Sequence, residues 1–243
     1  MIEEVTYQEL GFSQQYYSLR KKEGRIYSDD EVMQLPQIND QHRYAQEWLI
    51  RKKSGDRLLG CLLNKRKTLQ ILEVGCGNGW LAAKLSSVPS ALITAIDINI
   101  EELNQAKRVF SSVDNLEFLH CSLQDALLQH RQFDIIIFAA SIQYFNSVSD
   151  VLKNALSYLK PGGEIHIIDS RFYKRDEVDM ARQRSIDYFR DIGFPGMINQ
   201  YFHHSLEELG PFNHRILSNP NSILNRIKQN KDPFYWICVK ANA

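Results

Sequence analysis

The chain has 243 residues, with 29 Lys and Arg against 29 Asp and Glu, so no global field is available to hold a polyanion and nucleic acid is an unlikely partner. A hydrophobic share of 44% beside 24% charged residues is that of a globular protein with one sizeable core, and no apolar run approaches the length that spans a bilayer. Four cysteines stand far apart, at 61, 76, 121 and 238, which argues against a paired zinc or redox motif and predicts a reduced, cytoplasmic protein without a metal site.

The opening MIEEVTYQEL is acidic and lacks the basic start and apolar run of a signal peptide. From Asp40 to Leu63, Tyr44, Trp48, Leu58 and Leu62 recur at roughly helical spacing, with Ser54-Gly55 as a point of interruption. Short apolar runs then alternate with amphipathic segments. Strands are predicted at Leu69 to Val74, Ala91 to Ile96, Leu116 to His120, Asp134 to Phe138 and Glu164 to Asp169. Helices are predicted at Gly79 to Leu85, Glu101 to Phe110 and Ser149 to Leu159, the last stopped by Lys160-Pro-Gly-Gly163. This alternation predicts a parallel sheet with helices on both faces. Glu177 to Arg190 reads as an inserted helix and Ser205 to Leu209 as another short one. His214 to Ser218 and Phe234 to Lys240 read as two consecutive strands forming an antiparallel hairpin at the sheet edge.

Three glycines at positions 75, 77 and 79 follow the first strand and precede a helix. In an open α/β sheet, ligands bind beyond the carboxyl ends of the strands, where strand order reverses. Glycine there lets the backbone approach a ligand and adopt positive φ, and the following helix N-terminus offers free N–H groups. The dinucleotide pattern needs a further glycine three residues after the second, and Trp80 occupies that place. No Gly-Lys-Ser/Thr follows, so a triphosphate loop is absent too. Asp97 ends the second strand, where a carboxylate can accept both hydroxyls of a ribose. The ligand implied is an adenosine without a pyrophosphate.

Glu73-Val-Gly-Cys-Gly-Asn-Gly79 resembles the first motif of class I methyltransferases, and Ile96-Asp-Ile-Asn99 their acidic second motif. Phe133-Asp-Ile-Ile-Ile-Phe138 is similar to their fourth-strand motif, and Leu159-Lys-Pro-Gly-Gly-Glu164 to the turn before their fifth strand. The match covers about Thr68 to Ser170 in order. The resemblance implies a Rossmann-like, doubly wound, mostly parallel seven-stranded sheet with an antiparallel C-terminal strand. It implies a helical lid over 1–66, a cofactor core over 68–170, a helical insertion over 171–212 and the last two strands over 213–243. The cofactor it implies is S-adenosyl-L-methionine, with S-adenosyl-L-homocysteine as product.

By that resemblance Gly75 and Gly77 line the methionine part, Glu73 holds its amino group, Asp97 the ribose and Ile98 the adenine. Cys76, Leu123 and Ala139 complete the expected lining. Many family members carry Gly-Asp after the third strand, where this chain has Cys121-Ser122, so the adenine contact passes to Ser122 or to Asp125. In the lid, Tyr17, Arg20 and Tyr27 are the expected contacts.

Methyl transfer is an in-line displacement in which positioning and water exclusion dominate, so no single catalytic residue is demanded. Gln143 and Tyr144 could orient an acceptor, or Tyr144 and Phe145 simply pack the next helix; Arg171 could meet an acidic substrate. His166 is expected to be a hydrogen-bonded core residue, and His203-His204 a surface pair rather than a metal site. Arg51-Lys-Lys53 and Lys65-Arg-Lys67 form a local basic cluster, read as a solvated helix face rather than an RNA contact. The expected reaction is methyl transfer to the O, N or C atom of a small, partly apolar molecule, capped by the insertion. An RNA or protein methyltransferase and a non-catalytic module on the same fold are the alternatives.

Overall fold

The computed structural model describes residues 7–65, 68–227 and 231–241. Helix α1 (Tyr7–Lys22) is followed by α2 (Asp29–Gln34) and α3 (Ala45–Leu63). The central run is β1 (Gln70–Val74), α4 (Trp80–Leu85), β2 (Leu92–Asp97), α5 (Ile100–Val109), β3 (Leu116–His120), β4 (Phe133–Ala139), α6 (Val148–Ser157) and β5 (Leu159–Ile168). Then come β6 (Phe172–Tyr173), α7 (Val178–Asp191), β7 (His204–Ser205), β8 (His214–Ser218), α8 (Ile223–Arg226) and β9 (Trp236–Lys240).

One seven-stranded sheet has the order β3-β2-β1-β4-β5-β9-β8. The first five strands are parallel, and β9 runs antiparallel to both β5 and β8, as the late hairpin required. Strand order reverses between β1 and β4, which pair from Ile71↔Ile135 to Glu73↔Ile137. The fourth strand is apolar throughout because each face is covered. Ile135 and Ile137 join the layer containing Leu58, Leu81 and Leu103, while Ile136 and Phe138 join the layer of Val151, Leu152 and Ala155.

Ser54-Gly55 does not break α3. A Cβ at Gly55 would lie 3.2 Å from Cη2 of Trp80, so the glycine makes room for that indole, which also packs edge-on against Trp48. Lys160-Pro-Gly-Gly163 is not the stop of α6, which already ends at Ser157. Those residues lie inside β5, whose register against β4 shifts between Phe133 and Ile135; the proline and glycines form a bulge rather than a helix terminator.

The insertion leaves the sheet after β5, and its β6 and β7 pair in parallel. Phe189 of α7 and Met197 pack with Leu19 of α1 in a small third core that includes Tyr144 at its margin. The N-terminal helix and the insertion therefore meet above the carboxyl ends of the strands. Among the described residues, no helix is long and apolar enough to cross a membrane.

Candidate functional site

Two cavities, of about 490 and 100 Å³, open at the reversal of strand order. Tyr16, Gly75, Gly77, Ala140 and Tyr144 line both, so they are two ends of one cleft. All three glycines of the loop have positive φ, at 76°, 53° and 77°. At Gly75 a Cβ would lie 2.6 Å from Cβ of Ser141, whose hydroxyl donates to the Val74 carbonyl at 2.6 Å. At Gly79 a Cβ would strike the Phe118 ring at 2.7 Å. The first and third glycines thus serve packing between elements, and Gly79 gives the close helix–strand approach that Trp80 does not.

Asp97 shapes the middle of the cleft. Its Oδ2 accepts from Gly77 N and its Oδ1 from Asn99 N, both at 2.7 Å. Burial pushes its pKa up, against the pull of those N–H donors. Glu73, at the end of β1, is buried, and its Oε2 has no hydrogen-bond partner among the described residues. Burial first, and the Asp97 charge second, raise Glu73 to about 8. A buried carboxylate oxygen without a donor fits the ammonium group of an amino-acid ligand.

Ile98, Ser122 and Leu123 line the larger cavity beside Asp97, whereas Cys76, Ala139, Arg20 and Tyr27 line the smaller one. Asp125 lines neither; it caps the short turn Ala126–Leu128 by accepting from Leu127 N, while Ser122 and Gln124 are the polar residues of that loop that line the larger cavity. Tyr17 lines an adjoining pocket of about 230 Å³ with Asn78 and Glu101, which shares Arg25, Tyr27, Asn78 and Glu102 with the smaller end of the cleft. The residue that enters the cleft is Tyr16. Phe12, Tyr16 and Arg20 recur at every fourth position of α1 and share one face, a spacing that could have selected Tyr16 over Tyr17.

Arg171 is exposed and lines neither cavity. Gln143 is committed within the protein: its amide donates to the Ala140 carbonyl at 2.6 Å and accepts from Ser170 at 3.0 Å. It braces Ala140, which holds a left-handed φ of 53° at the cleft. Tyr144 packs against Phe12, Tyr16 and Tyr201 with ring centroids 5.4 to 5.7 Å apart, and burial raises its hydroxyl pKa. Arg51, expected on a solvated helix face, lines the cleft instead, as do Glu102, Asn199, Gln200 and Phe202, which sequence did not single out.

His166 is fully buried and accepts from Trp236 Nε1 at 3.0 Å. The expected surface placement of His203-His204 is corrected. His204 is buried in β7, and His203 bonds Ser185 at 2.9 Å and is held down to about 4 by burial. Glu164, His166 and Cys238 bring donor atoms within 4.8 Å of one another, but Lys65 and Lys240 approach Glu164 at 2.6 and 3.4 Å and compete with any cation. The basic cluster is paired: Arg51 with Glu47, Lys52 with Asp56, Lys53 with Asp232 and Lys65 with Glu164. Arg66 and Lys67 lie outside the described residues.

The family described as "Methyltransferase domain" matches residues 71–163, the span from β1 to the bulge of β5. The plantazolicin methyltransferase BpumL, solved with a triazolic desmethylPZN analog and SAH, superposes with a TM-score of 0.59 over 97% of this chain and 96% of that one, at 16% identity. Residues 71–163 match a methyltransferase domain, and the chain has the class I S-adenosylmethionine-dependent methyltransferase fold. Among curated relatives, the malonyl-[acyl-carrier protein] O-methyltransferase of Halalkalibacterium halodurans is 26% identical over 147 residues, 57% of this chain and 54% of the relative. The enzyme of that name from Acetivibrio thermocellus is 31% identical over 137 residues, 56% of this chain and 48% of the relative. The methyltransferase domain thus spans about half the length of these relatives, and the 16% identity to BpumL makes that likeness one of fold.

Proposed function

We propose that the chain transfers a methyl group from S-adenosyl-L-methionine to an uncharged, partly aromatic small molecule, leaving S-adenosyl-L-homocysteine. The observation that carries this reading is the division of chemistry along one cleft. Its smaller end combines Glu73 with Arg20 and Arg51, which suits the ammonium and carboxylate of an amino acid. Its middle holds Asp97 for the ribose hydroxyls, and Ile98, Ser122 and Leu123 for adenine. Its far end is lined by Phe12, Phe145 and Phe202 with the carboxamides of Asn146, Asn199 and Gln200. Asp97 is the one charged residue among the described residues lining that larger cavity, so nothing there balances a carboxylate or phosphate.

The cofactor contributes an activated methyl whose bond electrons return to sulfur as the acceptor's lone pair attacks. The protein's part is to align the acceptor and to exclude water, using the rings of Tyr16 and Tyr144 and the insertion above them. Tyr144 keeps its proton at neutral pH and acts as a hydrogen-bond donor, not as a base. A proton displaced from an O or N acceptor passes to solvent.

The paired basic residues on α3 support a small-molecule acceptor over RNA, because those charges already face carboxylates. The four cysteines are free thiols, which supports a reducing, cytoplasmic setting. Thermal denaturation with S-adenosylhomocysteine tests the reading directly. Saturating ligand should raise Tm by several degrees, and no shift would sink the proposal. Transfer of radiolabelled methyl to a panel of neutral phenols and heteroaromatic amines, against malonyl thioesters, then tests the acceptor class.

A further inference from the structure

A second carboxyl enters the cleft from α5, and the reading above gives it no task. Asn99 caps that helix, accepting from the N–H groups of Glu101 and Glu102 at 3.1 and 3.2 Å. The cap starts α5 directly after Asp97 and aims Glu102 back at the glycine turn. A Cβ on Gly77 would lie 3.5 Å from Glu102 Oε2. Glu102 lines the smaller cavity with Glu73 and Arg20, yet its carboxylate makes no hydrogen bond or ion pair with any described residue.

The cations that face it are engaged elsewhere. Arg20 approaches Glu23 at 3.4 Å, Arg51 approaches Glu47 at 3.0 Å, and Arg25 holds Glu47 at 2.6 Å. The other three carboxylates of the cleft have donors: Glu47 holds Arg25 and Arg51, Asp97 takes two N–H groups, and Glu73 takes that of Ala82. Glu102 is the cleft carboxylate that no described residue engages by a hydrogen bond or ion pair, Arg20 and Arg51 acting on it only from a distance. Burial and the neighbouring Asp97 raise it to about 7, so an arriving cation draws it into its charged form.

We infer that Glu102 is a specificity-determining residue that makes the site favour the sulfonium cofactor over its neutral thioether product. This rests on the cofactor reading above. The two ligands share amine, carboxylate, ribose and adenine, so any contact to those parts contributes equally to both. They differ by one methyl and one positive charge at sulfur. A half-buried carboxylate with no direct partner attracts that charge without touching it, and the attraction disappears when the methyl leaves. The same residue therefore holds the reactant and helps to release the product.

Calorimetric titration of wild type, Glu102→Gln and Glu102→Asp with S-adenosylmethionine and S-adenosylhomocysteine tests the inference. Glu102→Gln should weaken S-adenosylmethionine binding about tenfold, or ~1.4 kcal/mol, the scale of one charge–charge contact in a partly screened site. It should leave S-adenosylhomocysteine within about twofold, and that retained binding also reports an intact fold. Glu102→Asp keeps the charge and should keep most of the preference. An equal loss for both ligands, or no change for either, overturns the inference. Wild type binding neither ligand would overturn the cofactor reading instead.

Discussion

The Asp97 carboxylate accepts the backbone N–H of Gly77 at 2.7 Å and so ties the tip of β2 to the glycine turn that follows β1. The bond joins the two features that most clearly suggested an adenosine ligand. Each oxygen keeps a lone pair after receiving its backbone donor, and those lone pairs face the cleft. Asp97→Asn retains one acceptor oxygen, too few for two N–H groups and two hydroxyls. It should weaken S-adenosylhomocysteine binding by ~1–3 kcal/mol, roughly tenfold to hundredfold. Calorimetry reads this directly, and unchanged affinity would remove the ribose from this carboxylate.

The buried carboxyls make stability and binding respond to pH in opposite senses. Glu73 and Glu102 sit at about 8 and 7 in the folded chain, above an unfolded value of about 4.3. The folded state therefore binds these protons more tightly, and the unliganded protein gains stability as pH falls through 8 and then 7. His203, held down to about 4, opposes this below about pH 6.5, and the cysteines, raised by burial, add to it near pH 8.5, so the carboxyls are read best between pH 8 and 7. Chemical denaturation should show a higher unfolding midpoint at pH 7 than at 8. S-adenosylmethionine affinity should fall between pH 7.5 and 6, as the carboxylates that attract its charge become neutral. A midpoint that moves the other way in the first window would contradict the buried, unpaired state of these groups.

Gly75→Ala should destabilise the protein by ~1–3 kcal/mol in urea denaturation, because it forces a Cβ onto Ser141 in a left-handed backbone. Combining it with Ser141→Gly removes the clash but not the backbone cost. The double variant should recover only part of the loss. Full recovery would mean that the backbone conformation costs nothing.

Gly55→Val tests the contact that docks α3 on α4. Valine would improve on glycine in an isolated helix, yet its Cβ meets Trp80 at 3.2 Å and its methyls reach further. We expect a net loss of ~1–3 kcal/mol, with perturbed tryptophan fluorescence. Equal or higher stability would show that Trp80 can move aside.

Much of the fold was legible because its signals are local. Ile135, Ile136 and Ile137 could only belong to a strand covered on both faces, and Asn99 before Glu101 marks the start of α5 by its capping chemistry. The bulge in β5 was misread because proline with two glycines ends a helix as readily as it breaks a strand's register. Composition points to the stretch holding Tyr16 and Tyr17, and only the helical face puts Tyr16 in the cleft and Tyr17 in the pocket adjoining it. The histidine pair looked like surface because its covering elements, the insertion strands and α7, are distant in sequence.

From its own residues the chain declares a strand–glycine–helix turn, an acid at the end of the next strand and the order of a doubly wound sheet. These follow from backbone sterics and periodicity, which act over a few residues. The tertiary structure decided the rest. It showed that Gly75 is required by Ser141, and that Ser122 lines the cleft while Asp125 does not. It also showed that Gln143 braces Ala140, and that Glu102 stands beside Gly77 without a direct hydrogen-bond or ion-pair partner among the described residues. Each of these depends on which distant groups become neighbours, and therefore on desolvation and unmet charge that no local pattern encodes.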